Sequence, residues 1–496
     1  MNLRTTEHLI GGRWTPATTT DQIVVRSPHD GHVLDRVALA NTADIDRAVG
    51  VARSAFDQGD WPRMPASERA ALVGRLAQRY GSSLEEMAQL ISSENGSPIS
   101  FSRLGQAGAV PLLFTGFLDA AGAMAWEEPV ETMFGTQLLR RQAVGVVGAI
   151  TAWNVPQILI VAKLAPALLA GCSIVVKASP DAPLDALLLA EMVHEVGFPS
   201  GVVSIVVGGA AAGRALVDHA GVDKVAFTGS SAVGREIASV CGRNLTRCSV
   251  ELGGKSAAII LDDADLDRTV AGLRFASFMN NGQACAAQTR VLAPRSRYDD
   301  VVEALVASVS TFVVGDPLDD ATEIGPLVNE RQRDRVEEYL RIGVGEGAVV
   351  AIGGPAATRP ADGPATTGCY VAPTVFAEVD NAMRVAQEEI FGPVVAVIPY
   401  DGDADAARLA NQSVYGLGGS IWTADQDRAA ALARRLRTGM IGVNQFGPST
   451  DMPFGGFKAS GIGREYGAHG LAEYVELTTI HGLKADRIQA SSRPTP

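Results

Sequence analysis

The chain runs to 496 residues, 47% hydrophobic and 20% charged, with a formal net charge of −13. That length is too great for one small domain and predicts roughly three, while the ordinary composition predicts a soluble globular protein. The acidity, without any long basic run, excludes a nucleic-acid partner gripped through its phosphates.

Cys172, Cys241, Cys248, Cys285 and Cys369 are odd in number and scattered, with no C-x-x-C pair. Neither a zinc ribbon nor a disulfide framework is expected, and a reducing cytoplasm fits. Met1–Trp14 carries Arg4, Glu7 and Arg13 without an apolar core, so no secretory leader is expected. Val144–Ala162 is uncharged, but Asn154, Pro156 and Gln157 interrupt it and Lys163 follows. Two buried elements joined by a turn account for it better than a membrane span.

In chain order, Val144–Thr151 reads as a buried strand, Gln157–Ala170 as a helix stopped by Gly171, and Ser173–Lys177 as a second strand. Pro183 opens a helix with Leu184, Leu187, Leu188, Met192 and Val196 at helical spacing, ended by Gly197. Strands follow at Val202–Val207, Lys224–Phe227 and Cys248–Leu252, separated by helices at Ala211–His219 and Ala232–Cys241. This alternation predicts a parallel, doubly wound α/β sheet. Ligands of such sheets bind beyond the carboxyl ends of the strands, which selects Trp153–Asn154, Lys177, Gly208 and Thr228–Gly229–Ser230. A second α/β region runs from Ala257–Leu261 to about Thr450, with strands predicted at Val371–Val375 and Val394–Pro399. Ala356–Thr367 reads as a surface loop and Ala485–Pro496 as a frayed polar tail.

Most catalytic signatures are missing: His194–Glu195 is not part of an H-E-x-x-H, and there is no G-x-S-x-G elbow, Walker loop or histidine cluster for a metal. The run Gly461, Gly463, Gly467 has the wrong spacing for a dinucleotide fingerprint and is not expected to open a helix after a strand. Three features remain. Asn281–Gly282–Gln283–Ala284–Cys285 suggests a tight turn presenting a thiol, although a single cysteine more often serves as a small buried hydrophobe, as Cys172 and Cys248 do here. Glu251–Leu252–Gly253–Gly254–Lys255 ends a strand on a carboxylate, with two glycines that permit close backbone approach, although such a glutamate is commonly just solvated. Asn154 lies in a strand–helix turn, where its amide can donate to a ligand or merely cap the following helix.

Taken together with Ala152–Trp153–Asn154–Val155–Pro156, Phe227–Thr228–Gly229–Ser230, Glu389–Ile390–Phe391–Gly392–Pro393 and Pro453–Phe454–Gly455–Gly456-x-Lys458-x-Ser460–Gly461, these motifs resemble the aldehyde dehydrogenase superfamily. The likeness runs from Ile10–Gly11–Gly12-x-Trp14 to about His481, with Glu251 and Cys285 34 residues apart. It implies oxidation of an aldehyde to a carboxylic acid with NAD or NADP. Cys285 is the implied nucleophile, with Asn154 and the Cys285 N–H holding the oxyanion and Glu251 activating the water that hydrolyses the thioester. By the same resemblance Glu389 holds the nicotinamide ribose, Phe391 packs near the nicotinamide, and Lys177 contacts the adenosine ribose. Trp153, Gly208, Gly213, Gly229 and Ser230 complete the implied cofactor site.

The implied fold is a Rossmann-type dinucleotide-binding domain (1–124 and 145–253), an α/β catalytic domain (254–450) and a small β oligomerisation element (125–144 and 470–490). In that element Glu128–Gln142 would pair with a strand near Tyr474–Ile480, giving a homo-oligomer, dimer or tetramer. Where the family often has Lys-Pro-Ser-Glu this chain has Lys177–Ala178–Ser179–Pro180, so the glutamate that binds the adenosine ribose is missing. Asp181 is one position away, and the Gly208–Gly209–Ala210 turn is short. Val155, Leu159, Ala162, Met279, Phe446 and Phe454 are the expected walls of an apolar substrate tunnel, without an arginine to grip a second anionic group. A medium-chain, terpenoid or aromatic aldehyde is therefore expected. The alternatives are a coenzyme A-acylating semialdehyde dehydrogenase, which Glu251 argues against, and a non-catalytic binding protein of the same fold.

Overall fold

The computed structural model describes residues 3–357 and 368–483. The expected tail Ala485–Pro496 and nearly all of the expected loop Ala356–Thr367 lie outside the described residues.

The first sheet is built from β1 (Val146–Ile150), β2 (Ser173–Ala178), β3 (Val203–Val207), β4 (Lys224–Thr228) and β5 (Arg247–Glu251). They are parallel, in the order β5-β4-β1-β2-β3, extended antiparallel by Glu7–Ile10 and Arg13–Pro16 and edged by Gly461–Ile462. Between them run α1 (Pro156–Ala170), α2 (Leu184–Val196), α3 (Ala210–Asp218) and α4 (Ser231–Asn244). Burial on both faces, at every position of β1 to β4, explains why these strands are mostly apolar and do not alternate. Pro156 starts α1 and Gly171, at φ 94°, stops it; every residue of α1 except Ile158 is buried. The uncharged stretch Val144–Ala162 thus resolves into β1 and the opening of α1.

The second sheet contains β6 (Ala257–Ile260), β7 (Arg290–Pro294), β8 (Thr374–Ala377), β9 (Val394–Tyr400) and β10 (Gly419–Trp422), parallel in the order β8-β9-β7-β6-β10. The strand expected at Val371–Val375 begins only at Thr374: Pro373 has no N–H for the ladder, so pairing starts with Thr374 opposite Val394. A short strand at Gly461–Ile462 followed by a helix at Gly467–Ala472 corrects the expectation that the glycine run opens no helix after a strand. Its spacing alone argues against a dinucleotide loop.

Glu127–Thr132, Gly135–Ala143 and Val475–Ile480 form a separate antiparallel sheet, with Val475 opposite Ala143 and Ile480 opposite Leu138. One further stretch, helical from Ile99 to Ala123, is long and apolar enough by length and composition to cross a membrane. It is broken by a π-turn at Ser102–Gln106, and its last segment, Val110–Ala123, packs on α1.

Candidate active site

The first sheet reverses its winding at β1, which lies between β2 and β4, and a crevice opens at that point beyond the strand ends. A cavity of about 200 Å³ occupies it. Trp153 and Asn154 reach it from the end of β1, Thr228, Gly229 and Ser230 from β4, and Leu252 and Gly253 from β5. The second α/β region contributes Cys285, Gln332, Arg335, Glu389 and Phe391.

The turn before Cys285 is tight and held by amides. Asn280, Asn281 and Gly282 are all left-handed, at φ 52°, 60° and 74°. Asparagine tolerates this conformation better than most residues, and at Gly282 a Cβ would stand 2.0 Å from the Gly392 carbonyl. Asn281 donates to Gly96 O and Pro326 O at 2.8 and 2.9 Å and accepts from Gly325 N at 2.7 Å. Asn280 donates to Asn154 O at 2.8 Å, and Gln283 accepts from Val328 N at 3.1 Å. Asn154 itself is no helix cap: its Nδ2 donates to Gln283 O at 2.9 Å, and no side chain caps α1. The second amide hydrogen of Asn154 is thereby left for a group in the cavity.

Burial, with Glu389 and then Glu251 adding repulsion, pushes the Cys285 thiol up to about 12, although the Ala286 and Cys285 amides help its sulfur. In the isolated protein these surroundings favour the thiol over the thiolate. Alkylation of Cys285 by iodoacetamide, followed by mass spectrometry without cofactor, is expected to accelerate about tenfold per pH unit between about pH 7 and pH 10. A plateau near neutral pH would contradict this.

Glu251 ends β5, but its carboxylate does not line the cavity; it is 3% exposed and neither oxygen has a partner among the described residues. Its affinity for a proton is raised first by burial and then by Glu465, against Lys163 and Arg464. The sequence reading missed Lys163, the one charge on α1. Fully buried, it donates at 2.7 Å to both Glu465 and Thr228. A lysine within an otherwise apolar helix was the available signal, since a buried charge requires a partner. Gly253 and Gly254 also serve the protein's own groups: a Cβ on the first would meet Glu389 Oε2 at 2.4 Å, and on the second Cys285 O at 2.3 Å.

Of the expected cofactor residues, Trp153, Gly229, Ser230, Glu389 and Phe391 share the Cys285 cavity. The Trp153 and Phe391 rings meet edge-on at 5.5 Å. Glu389 accepts from Gly254 N at 2.9 Å, and burial brings its carboxyl up to about 7. Lys177 lies apart, donating to Gly208 O at 2.7 Å, and a Cβ on Gly213 would stand 3.8 Å from its Cδ. Asp181 accepts from Asn329 at 3.1 Å and from Arg331 at 3.0 Å. Sequence reading also missed Gln332 and Arg335, which lie on a helix beyond any motif; Arg335 donates to Glu389 O at 2.6 Å.

The tunnel residues divide. Leu159 lines the Cys285 cavity; Met279 lines a different one, with Phe101, Phe275 and Phe312. Ala162 and Phe454 are buried in the core around α1, Phe446 packs against that core, and Val155 is half-buried; none of these four lines the Cys285 cavity.

The aldehyde dehydrogenase family model matches residues 14–480. The chain belongs to the aldehyde dehydrogenase family. It is 42% identical over 475 residues to the geranial dehydrogenase of Castellaniella defragrans, covering 96% of this chain and 98% of that protein. A Mycobacterium tuberculosis aldehyde dehydrogenase complexed with NAD+ matches with TM-score 0.93 and 45% identity, over 96% of this chain and 97% of that one. A mutant of aldehyde dehydrogenase C from Pseudomonas syringae, complexed with NAD+ and octanal, matches with TM-score 0.92 and 38% identity over 96% of each chain. This aldehyde dehydrogenase is an NAD(P)-dependent oxidoreductase, and its crevice fits the cofactor. Ser230 stands at the N-terminus of α4, whose first turn carries no acidic residue and so suits a phosphate. Trp153 and Phe391 give flat apolar walls beside the Glu389 carboxyl.

Proposed function

We propose that Cys285, Asn154 and Glu251 carry the oxidation of an apolar aldehyde to its free acid. The carrying observation is that Cys285 and an amide hydrogen of Asn154 meet in one cavity, with Glu251 buried and unpartnered beside it. The Cys285 sulfur adds to the carbonyl carbon and its proton passes to solvent, giving a hemithioacetal whose oxygen is held by Asn154 Nδ2 and the Cys285 N–H. One such donor is typically worth about 10²–10³ in rate. Bound NAD(P)+ supplies the acceptor for the aldehyde's hydride. Glu251 then takes a proton from water as it attacks the thioester on Cys285, releasing the acid and restoring the thiol. The Glu251 carboxylate must turn toward the cavity for this step, away from its place against Gly455.

An apolar substrate is supported by Leu159, Leu252, Trp153 and Phe391 around Cys285, and by Arg335 being turned onto backbone carbonyls. The relatives named for geranial and bound to octanal point the same way. Both NAD+ and NADP+ should be accepted: Pro180 presents no carboxylate beside Lys177, and the charge of Asp181 is compensated by Arg331. Reduced-cofactor formation at 340 nm, from a panel of octanal, citral, benzaldehyde and succinic semialdehyde with each nucleotide and without coenzyme A, tests the reading. Turnover of the apolar aldehydes with both nucleotides is expected; activity confined to the semialdehyde, or requiring coenzyme A, would overturn it.

A homo-oligomer is part of the same proposal. The small three-stranded sheet exposes Met133 at 89%, Phe134 at 82% and Leu477 at 64%, which supports a partner there. Light scattering is expected to give a dimer or tetramer mass, and a monomer would refute it.

A further inference from the structure

Lys255 follows the two glycines but does not line the Cys285 cavity. It lines a second, smaller cavity at the starting ends of β7, β6 and β10, where Ala257 lies between Arg290 and Gly419. The cavity is small, with about 20 Å³ open to the centre of a water-sized sphere, which is room for a water or a small ion.

Three of the buried polar atoms without a hydrogen-bond partner belong to residues that line this cavity: Lys255 Nζ, Ser256 Oγ and Thr438 Oγ1. All three can donate. Lys255 is 2% exposed and makes no ion pair among the described residues, and no aspartate or glutamate lines the space. The charged side chains that line it are all positive, while Glu389 and Glu388 act on Lys255 from outside the lining, and burial followed by Arg290 brings its ammonium down to about 7. Arg290, buried in the same wall, gives its guanidinium to Lys255 O, Leu409 O, Ala410 O and Asn381 Oδ1. Arg437 also lines the cavity, and Lys458 lies beside it against Gly416. A single water would satisfy the hydroxyls but leave the lining cations with no anion in contact with them, which burial makes unfavourable.

We propose that this cavity is a halide-sized anion site, in which one chloride is held by Lys255, Ser256 and Thr438. Lys255 adjoins Gly254, whose N–H donates to Glu389, so the anion would sit one residue from the turn that fixes a wall of the active site. The site's existence does not depend on the catalytic reading, because binding can be read without turnover.

Crystals of the full chain grown in sodium bromide, with diffraction measured above the bromine absorption edge, test it. An anomalous peak within the Lys255 cavity is expected, lost in Lys255→Met and in the milder Thr438→Val should the first variant not fold. In solution, sodium chloride is expected to raise the Tm of the wild type by about 2 °C over sodium acetate at equal ionic strength, and not that of the variant. Absence of the peak, its persistence in both variants, or a peak without any solution stabilisation (an adventitious ion only) would overturn the proposal.

Discussion

Cys285→Ala is expected to abolish aldehyde turnover while leaving the fold and nucleotide binding in place. The thiol is the only nucleophile lining the cavity that can form a thioester, and the turn presenting it is held by Asn280, Asn281 and Gln283, none of which bonds to the sulfur. Alanine leaves those bonds intact and removes only the sulfur, so stability should change by little more than the loss of one small side chain. Turnover on a citral and NAD+ assay should fall by at least about 10⁴, since the covalent route itself is lost. Nucleotide affinity, read by the quenching of Trp153 fluorescence, should stay within about threefold of the wild type, a shift of well under one decade. Retained turnover in Cys285→Ala would remove the thioester mechanism altogether.

Glu251→Gln is expected to separate the two halves of the reaction. Amide and carboxylate have nearly the same shape, and the carboxylate has no hydrogen-bond partner among the described residues to lose, so folding should not suffer. Steady-state turnover should fall by about 10²–10⁴, the usual worth of a general base. A rapid-mixing experiment should still show one equivalent of reduced cofactor formed quickly, because acylation of Cys285 does not call on the water-activating base. The pH dependence carries a second signature. Glu251 acts as a base only when deprotonated, and burial beside Glu465 raises its pKa. Wild-type kcat should therefore rise with pH through that raised value, and the glutamine variant should lose this rise. Loss of the rapid burst along with the steady-state rate would instead assign Glu251 to the first step.

Much of the site was legible in the sequence because it is local. The Asn-Asn-Gly-Gln run before Cys285 folds as a turn through its own backbone, with Gly282 at a left-handed φ that a side chain would strain. The β-branched runs alternating with apolar helices dictate a parallel sheet, and a reversal of strand order in such a sheet creates a crevice whichever residues line it. Asn154 at the end of β1 and Glu251 at the end of β5 were placed by that logic together with the family motifs. The missing glutamate at Pro180 is also a fact of the sequence.

What only the tertiary structure decided depends on residues distant along the chain. The bonds from Lys163 to Thr228 and Glu465 span 65 and 302 positions, and nothing local to α1 reveals them. Arg335 and Gln332 enter the cavity from a polar helix with no motif, and the salt bridge that engages Asp181 comes from the neighbouring Arg331. The tunnel residues show the same limit: of six apolar candidates, only Leu159 faces Cys285, because an apolar side chain near a catalytic motif serves the core as readily as the site. Periodicity states that a residue is buried; which cavity it faces is set by the packing of two sheets whose parallel strands come from different stretches of the chain, 146–251 and 257–422.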